Sequence, residues 1–103
     1  MSWARVGKHE KAIPPPVVRV TNNNFGGRPY RRGALNVAAT RLCGHPRVSM
    51  MQSTDGRYGL KFGPDEDYRI SKRKRGCSFV VYGIPEGVYD FEIEGDLWIL
   101  SPR

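Results

Sequence analysis

Apolar positions in this chain recur at a spacing of two, in runs too short for an extended helix. The clearest case is VYDFEIE at 88–94: Tyr89, Phe91 and Ile93 alternate with Asp90, Glu92 and Glu94, the pattern of a strand buried on one face. DLWIL follows, and the two predict a hairpin around Gly95. VVRVT at 17–21 is β-branched and predicts a strand. VSMMQS and RYGLKF flank Thr54-Asp55-Gly56, and Asp-Gly predicts a tight two-residue turn between them. YRIS and CSFVV are two further short strands, with KRKRG read as a basic turn between them.

Between these runs, NNNFGGRPYRRG is rich in Asn, Gly and Pro and reads as a loop. ALNVAATRLCG predicts a short strand start passing into one or two helical turns. Leu35, Ala38, Ala39 and Leu42 would then lie on one side, with Gly44 as the stop. Residues 1–16 show no period and end in three prolines, which favour extended polyproline geometry. They read as a basic arm carrying Trp3, Arg5, Lys8 and Lys11. Residues 17–103 then form a single domain, the most that 103 residues with one modest core support.

The domain contains an internal repeat, 17–62 and 68–101. Laying the second unit on the first pairs Arg32-Gly33 with Arg75-Gly76, Val37 with Val80, Gly44 with Gly83, Pro46 with Pro85, Val48 with Val88 and Gly56 with Gly95. The alignment drops about one helical turn, Ala38–Arg41, from the second unit. Each half reads as strand, basic loop, short strand, Gly-x-Pro break and hairpin. An apolar face too small to stand alone is covered when two such halves pack together. The expected fold is therefore mostly β, with minor helix: a pseudo-two-fold barrel of two β(α)ββ units and one short helix. On this reading the two basic loops occupy equivalent positions and make one continuous positive surface.

Charge adds a partner class. The chain carries +7 overall, divided as +9 over residues 1–62, +2 over 63–76 and −4 over 77–103. Such a basic field attracts polyanions, nucleic acid first among them. Arginine and lysine neutralise phosphates, and arginine also forks onto guanine. Tyr30 stacks on a base or braces its loop. Cys43 and Cys77 are too few for a disulfide scaffold, and no secretory signal or transmembrane-length apolar run is evident. The expectation is a cytoplasmic protein with reduced thiols and no membrane association. Cys43 and His45 lack a third group, and no CxxC or His/Cys spacing points to zinc. The reading is non-enzymatic, without cofactor or metal.

The stretches GALNVAATRLCGHPRVSMMQSTDGRYGLKF and GIPEGVYDFEIEGDLWIL resemble the AbrB/MazE/SpoVT swapped-hairpin family in their strand, short helix, glycine stop and terminal hairpin. The two units would cover roughly residues 17–101. The resemblance implies interleaved hairpins and DNA binding through arginines after the first strand. Carried onto this chain, those positions are Arg28, Arg31 and Arg32 in the first unit, and Lys72, Arg73, Lys74 and Arg75 in the second. The chain departs from the family in fusing two units, in nearly lacking the second helix and in its long first basic loop. It implies a small transcriptional regulator of a bacterial or phage-infected cell, as a monomeric pseudo-dimer or a homodimer. The alternatives are a protein-binding module, such as a phage-encoded inhibitor of a host protein acting through the arm, or a structural phage component. Trp98, beside Leu97 and Ile99, is a core residue on the first reading and a binding residue on the second.

Overall fold

The computed structural model describes residues 15–103. The arm's residues 1–14, with Trp3, Arg5, Lys8 and Lys11, lie outside the described residues. Nine strands and one short helix follow: β1 Val18–Phe25, β2 Arg28–Leu35, α1 Val37–Leu42, β3 Arg47–Gln52, β4 Tyr58–Gly63, β5 Tyr68–Arg69, β6 Ser71–Arg73, β7 Gly76–Val81, β8 Gly87–Glu94 and β9 Leu97–Pro102. All pairings are antiparallel, in the order β5-β3-β4-β9-β8-β1-β2-β7-β6. The two edges of that order are consecutive in the chain. Extended backbone from Tyr68 pairs with β3, breaks at Ile70, and pairs with β7 from Ser71. The sheet thereby curls into a nearly closed, mostly β barrel.

The pairing is unchanged in kind when the halves are exchanged. β1–β2 corresponds to β6–β7, β3–β4 to β8–β9, and the β1–β8 contact to β5–β3. The halves meet directly along β2–β7 and β4–β9. At the centre, Phe62 of β4 packs on Trp98 of β9 with ring centroids 4.5 Å apart, and meets Phe79 of β7 edge-on at 6.5 Å. Phe91 stacks flat on the other side of Trp98, at 4.2 Å. Trp98 is a core residue.

Several local expectations change. The segment 22–32 is a long hairpin rather than a loop: β1 and β2 pair from Val18↔Leu35 to Phe25↔Arg28 around a Gly26-Gly27 turn. Both turn residues have positive φ (58° and 81°), the geometry whose twist matches the flanking strands. A tight turn and a full ladder thus override the weak strand propensity of three asparagines. The β3–β4 connection is not a two-residue Asp-Gly turn. It spans Ser53 to Arg57, closed by Ser53 N–H to the Arg57 carbonyl at 2.8 Å, and only Gly56 has positive φ. KRKRG is likewise only partly a turn, since Lys72 and Arg73 lie in β6.

The helix is as short as expected. Asn36 caps it, its Oδ1 accepting the Ala39 N–H at 2.9 Å. It ends at Leu42, with Cys43 rather than Gly44 in the cap position. Ala39 is buried, but Leu42 is 51 % exposed, because six residues present only one turn to the core. On β8, Tyr89 is buried, Phe91 half-buried and Ile93 46 % exposed, as the strand runs out beyond the barrel end.

Arg32-Gly33 and Arg75-Gly76 look alike in sequence and occupy different places. Gly33 is buried in mid-strand, opposite Val20 and Phe79; a Cβ there would lie 2.5 Å from Phe79 Cε2 and 2.7 Å from Val81 Cγ2. Gly76 opens β7 at φ 116°, and a Cβ there would lie 2.1 Å from the Leu35 carbonyl oxygen. The β1–β2 counterpart of the Lys74-Arg75 turn is Gly26-Gly27. Gly33→Ala should therefore overpack the core and cost about 1–3 kcal/mol. Thermal unfolding should show Tm falling by roughly 5–20 °C.

Candidate nucleic-acid interface

β1 contacts β8 only from Val18 to Val20, and β2 contacts β7 only from Arg31 onward. The last three rungs of the hairpin, Asn23↔Tyr30, Asn24↔Pro29 and Phe25↔Arg28, therefore pair only with each other. They project about 10 Å beyond the sheet as a two-stranded ribbon. At its end Phe25 is 79 % exposed, and a Cβ built on Gly26 or Gly27 would meet nothing within 4 Å.

Strand alternation sorts the ribbon into two faces. Val18, Val20 and Leu35 are buried in the core, so the rungs between them point outward. The outward pairs are Arg19↔Ala34, Thr21↔Arg32, Asn23↔Tyr30 and Phe25↔Arg28. This face carries three arginines and two aromatic rings. The other face anchors the ribbon: Arg31 Nη1 donates to the Ile84 carbonyl at 2.9 Å, and the Asn22 N–H donates to Glu86 Oε2 at 3.0 Å.

At the ribbon's base the outward face opens into a cleft of about 460 Å³, lined by Arg19, Arg75 and Arg103 together with Pro15, Ala34 and Asn36. Three separate elements supply the arginines. Arg19 is turned out because its neighbours Val18 and Val20 are turned in. Its cross-strand partner, Ala34, is short and leaves room above it. Arg75 reaches the cleft because Gly76 seats the β6–β7 turn against Leu35. Arg103 arrives from the end of β9, its N–H donating to the Val88 carbonyl at 2.9 Å and its Nε lying 3.3 Å from Asp90 Oδ1. That is the only ion pair among the described residues. The Asn36 side-chain amide donates to the Pro15 carbonyl at 2.8 Å and fixes Pro15 at the cleft's rim.

The residues singled out by sequence divide accordingly. Arg28 stands exposed on the outward face near the tip. Arg31 is spent on the Ile84 clamp. Arg32 shares the outward face but is half-buried, and its Nε has no hydrogen-bond partner among the described residues. Arg73 Nε donates to the buried Ser78 hydroxyl at 3.2 Å, while Lys72, Lys74 and Arg75 are exposed. The two clusters do not merge into one patch. β2 and β7 run antiparallel, with Arg31 opposite Val81 and Leu35 opposite Cys77. Arg28 and the Arg75 turn thus lie at opposite ends of β2, about 23 Å apart.

Arg32 lies between those ends on the same face, and Arg19, one rung from Leu35, belongs to the Arg75 end. Sequence reasoning missed Arg19. Its signal was present, because a charge between two buried β-branched residues of one strand must face out. Arg103 had no such signal, since its position depends on the distant β8–β9 and β1–β8 pairings. The Cys43 thiol lies 3.6 Å from the His45 backbone carbonyl, and burial pushes its pKa up. Cys77 is buried beside Thr40, its thiol also raised by burial. Among the described residues no three His, Cys, Asp or Glu side chains gather as metal ligands, and no helix is long and apolar enough to cross a membrane.

Arg31→Ala should loosen the ribbon by leaving the Ile84 carbonyl unpaired, costing about 1–3 kcal/mol in denaturant unfolding. Arg75→Ala, at an exposed turn, should stay within about 0.5 kcal/mol of the parent. Comparison of the chain with protein-family models, with curated proteins and with solved structures finds no match.

Proposed function

We propose that the protein is a non-enzymatic DNA-binding protein, a small transcriptional regulator. Its contact surface would be the outward face of the β1–β2 ribbon together with the arginine cleft at its base. The observation that carries this reading is the convergence of Arg19, Arg75 and Arg103, from three elements, on one cleft continuous with the face bearing Arg28 and Arg32. Arg103 is paired with Asp90, whereas Arg19 and Arg75 have no ion-pair partner among the described residues, and a polyanion relieves their repulsion while releasing its own counterions. No acidic residue occurs between Pro15 and Thr54, so the ribbon itself contributes only positive charge.

In this reading Arg19, Lys74, Arg75 and Arg103 contact phosphates and set the register, while Arg28 and Tyr30 work nearer the base edges. Lys72 and Arg73 extend the basic edge along β6. Kinship with the swapped-hairpin family draws support from the exchanged contacts, β1 with β8 and β5 with β3, by which each half holds the other's hairpin. The two halves would serve as an internal pseudo-dimer. A reducing bacterial or phage-infected cytoplasm suits two free cysteines, one of them in the core.

Binding to a mixed-sequence duplex should weaken with salt at a log–log slope of roughly −4 to −5, for about five phosphate contacts. Arg19→Glu with Arg75→Glu should flatten that slope by about 2 and leave Tm near the parent's. Arg57→Glu with Lys61→Glu changes net charge equally, on the β3–β4 hairpin rather than the ribbon or its cleft, and should leave the slope nearly intact. Equal losses in the two pairs would refute the assignment of the face. No binding at low salt would refute DNA as the partner.

A further inference from the structure

We propose that the tip of the β1–β2 ribbon inserts the Phe25 ring between adjacent base pairs of duplex DNA, unstacking one step and bending the duplex. The inference rests on the DNA-binding reading above. Its starting point is a large apolar side chain held in water on the last rung of a projecting ribbon, 79 % exposed. Such a ring gains by burial only against a surface that the ribbon reaches.

The mounting suits a wedge. Gly26 and Gly27 form the turn beyond Phe25, and space around both is open, so no side chain stands ahead of the ring. The ribbon is held behind by the Arg31–Ile84 and Asn22–Glu86 hydrogen bonds, which resist its folding back as the ring is pushed into a stack. The ring's surroundings are polar and cationic. Arg28 is its direct cross-strand partner, with Asn24 and Gly26 on either side in the chain. A ring placed among a cation and amides suits a base stack walled by phosphates.

The geometry behind the tip completes the argument. Arg19 lies six residues from Phe25 on the same strand and the same face, about 20 Å back. The cleft of Arg19, Arg75 and Arg103 would hold one stretch of backbone while the tip, with Arg28 alongside, reaches the stack further along the duplex. Unstacking has a cost, which the added backbone contacts of a bent duplex offset.

The test is permanganate oxidation of thymines, which reacts with unstacked bases, in a duplex of about 30 base pairs rich in flexible TA steps. The full-length protein is added at low salt, with binding measured in the same samples. Wild type should raise thymine reactivity several-fold. Phe25→Ala should bind roughly ten-fold more weakly, keep the steep salt dependence and leave thymines at the free-duplex level. Phe25→Trp should restore reactivity. A wild-type complex with unreactive thymines, or a Phe25→Ala complex as reactive as wild type, overturns the wedge and leaves backbone binding standing. Absence of any complex overturns both and assigns Phe25 to a protein partner.

Discussion

Side-chain alternation along β1 and β2 is the constraint on which the rest of the molecule depends. Val18, Val20 and Leu35 are buried at the base of the hairpin. A slip of β1 by one residue against β2 would send Val18 and Val20 into water and bring Arg19 into the core, so the register admits no neighbour. Once it is set, Arg19, Thr21, Asn23 and Phe25 on one strand and Ala34, Arg32, Tyr30 and Arg28 on the other share the outward face. Hydrophobic burial at one end of the hairpin thus decides which cations are displayed at the other. Arg31, of opposite parity, becomes a structural clamp in the same stroke.

The barrel that holds this hairpin is closed at its weakest point by the stretch from Tyr68 to Arg73. Its approach is clasped by polar contacts: Arg47 Nη2 donates to the Asp67 carbonyl at 2.9 Å, and the Asp67 N–H donates to the buried Ser49 hydroxyl at 2.9 Å. Within, the Phe62, Phe79 and Trp98 rings join β4, β7 and β9, so the two halves share a single core. Rings at such spacings contribute more than their buried area alone. Charge does not follow that division: Arg19 of the first half and Arg75 of the second line one cleft with Arg103. Asp90 of β8 pairs with Arg103, while Glu92 and Glu94 stand exposed further along β8.

Much of the fold was legible in the sequence, and particular residues explain why. The alternation in VYDFEIE, the β-branched VVRVT and the short alanine-rich run after Leu35 each encode their own local geometry. The hairpin at 22–32 was hidden because Asn and Gly signal loops wherever they cluster. Here a two-residue Gly-Gly turn supports a ladder whose stability comes from its base. The Arg-Gly repeat misled for a physical reason. Gly33 is glycine to admit the Phe79 ring, and Gly76 is glycine to adopt φ 116° against a carbonyl, two requirements that select the same residue. Of the candidate site, Arg28 and Arg75 were legible as exposed basic positions. The role of Arg31 was not, because its partner is a backbone carbonyl 53 residues away.

The most direct test of the central claim, that the outward ribbon face and its arginine cleft are the DNA surface, is backbone-amide chemical-shift mapping while a short duplex is titrated in. The account predicts perturbations concentrated at residues 19–32, at 73–76 and at Arg103 with its partners Val88 and Asp90, while the β3–β4 hairpin and the far end of β8, Glu92 to Glu94, stay unmoved. Perturbations centred on β3–β4 or on β8–β9, with the ribbon silent, would contradict it.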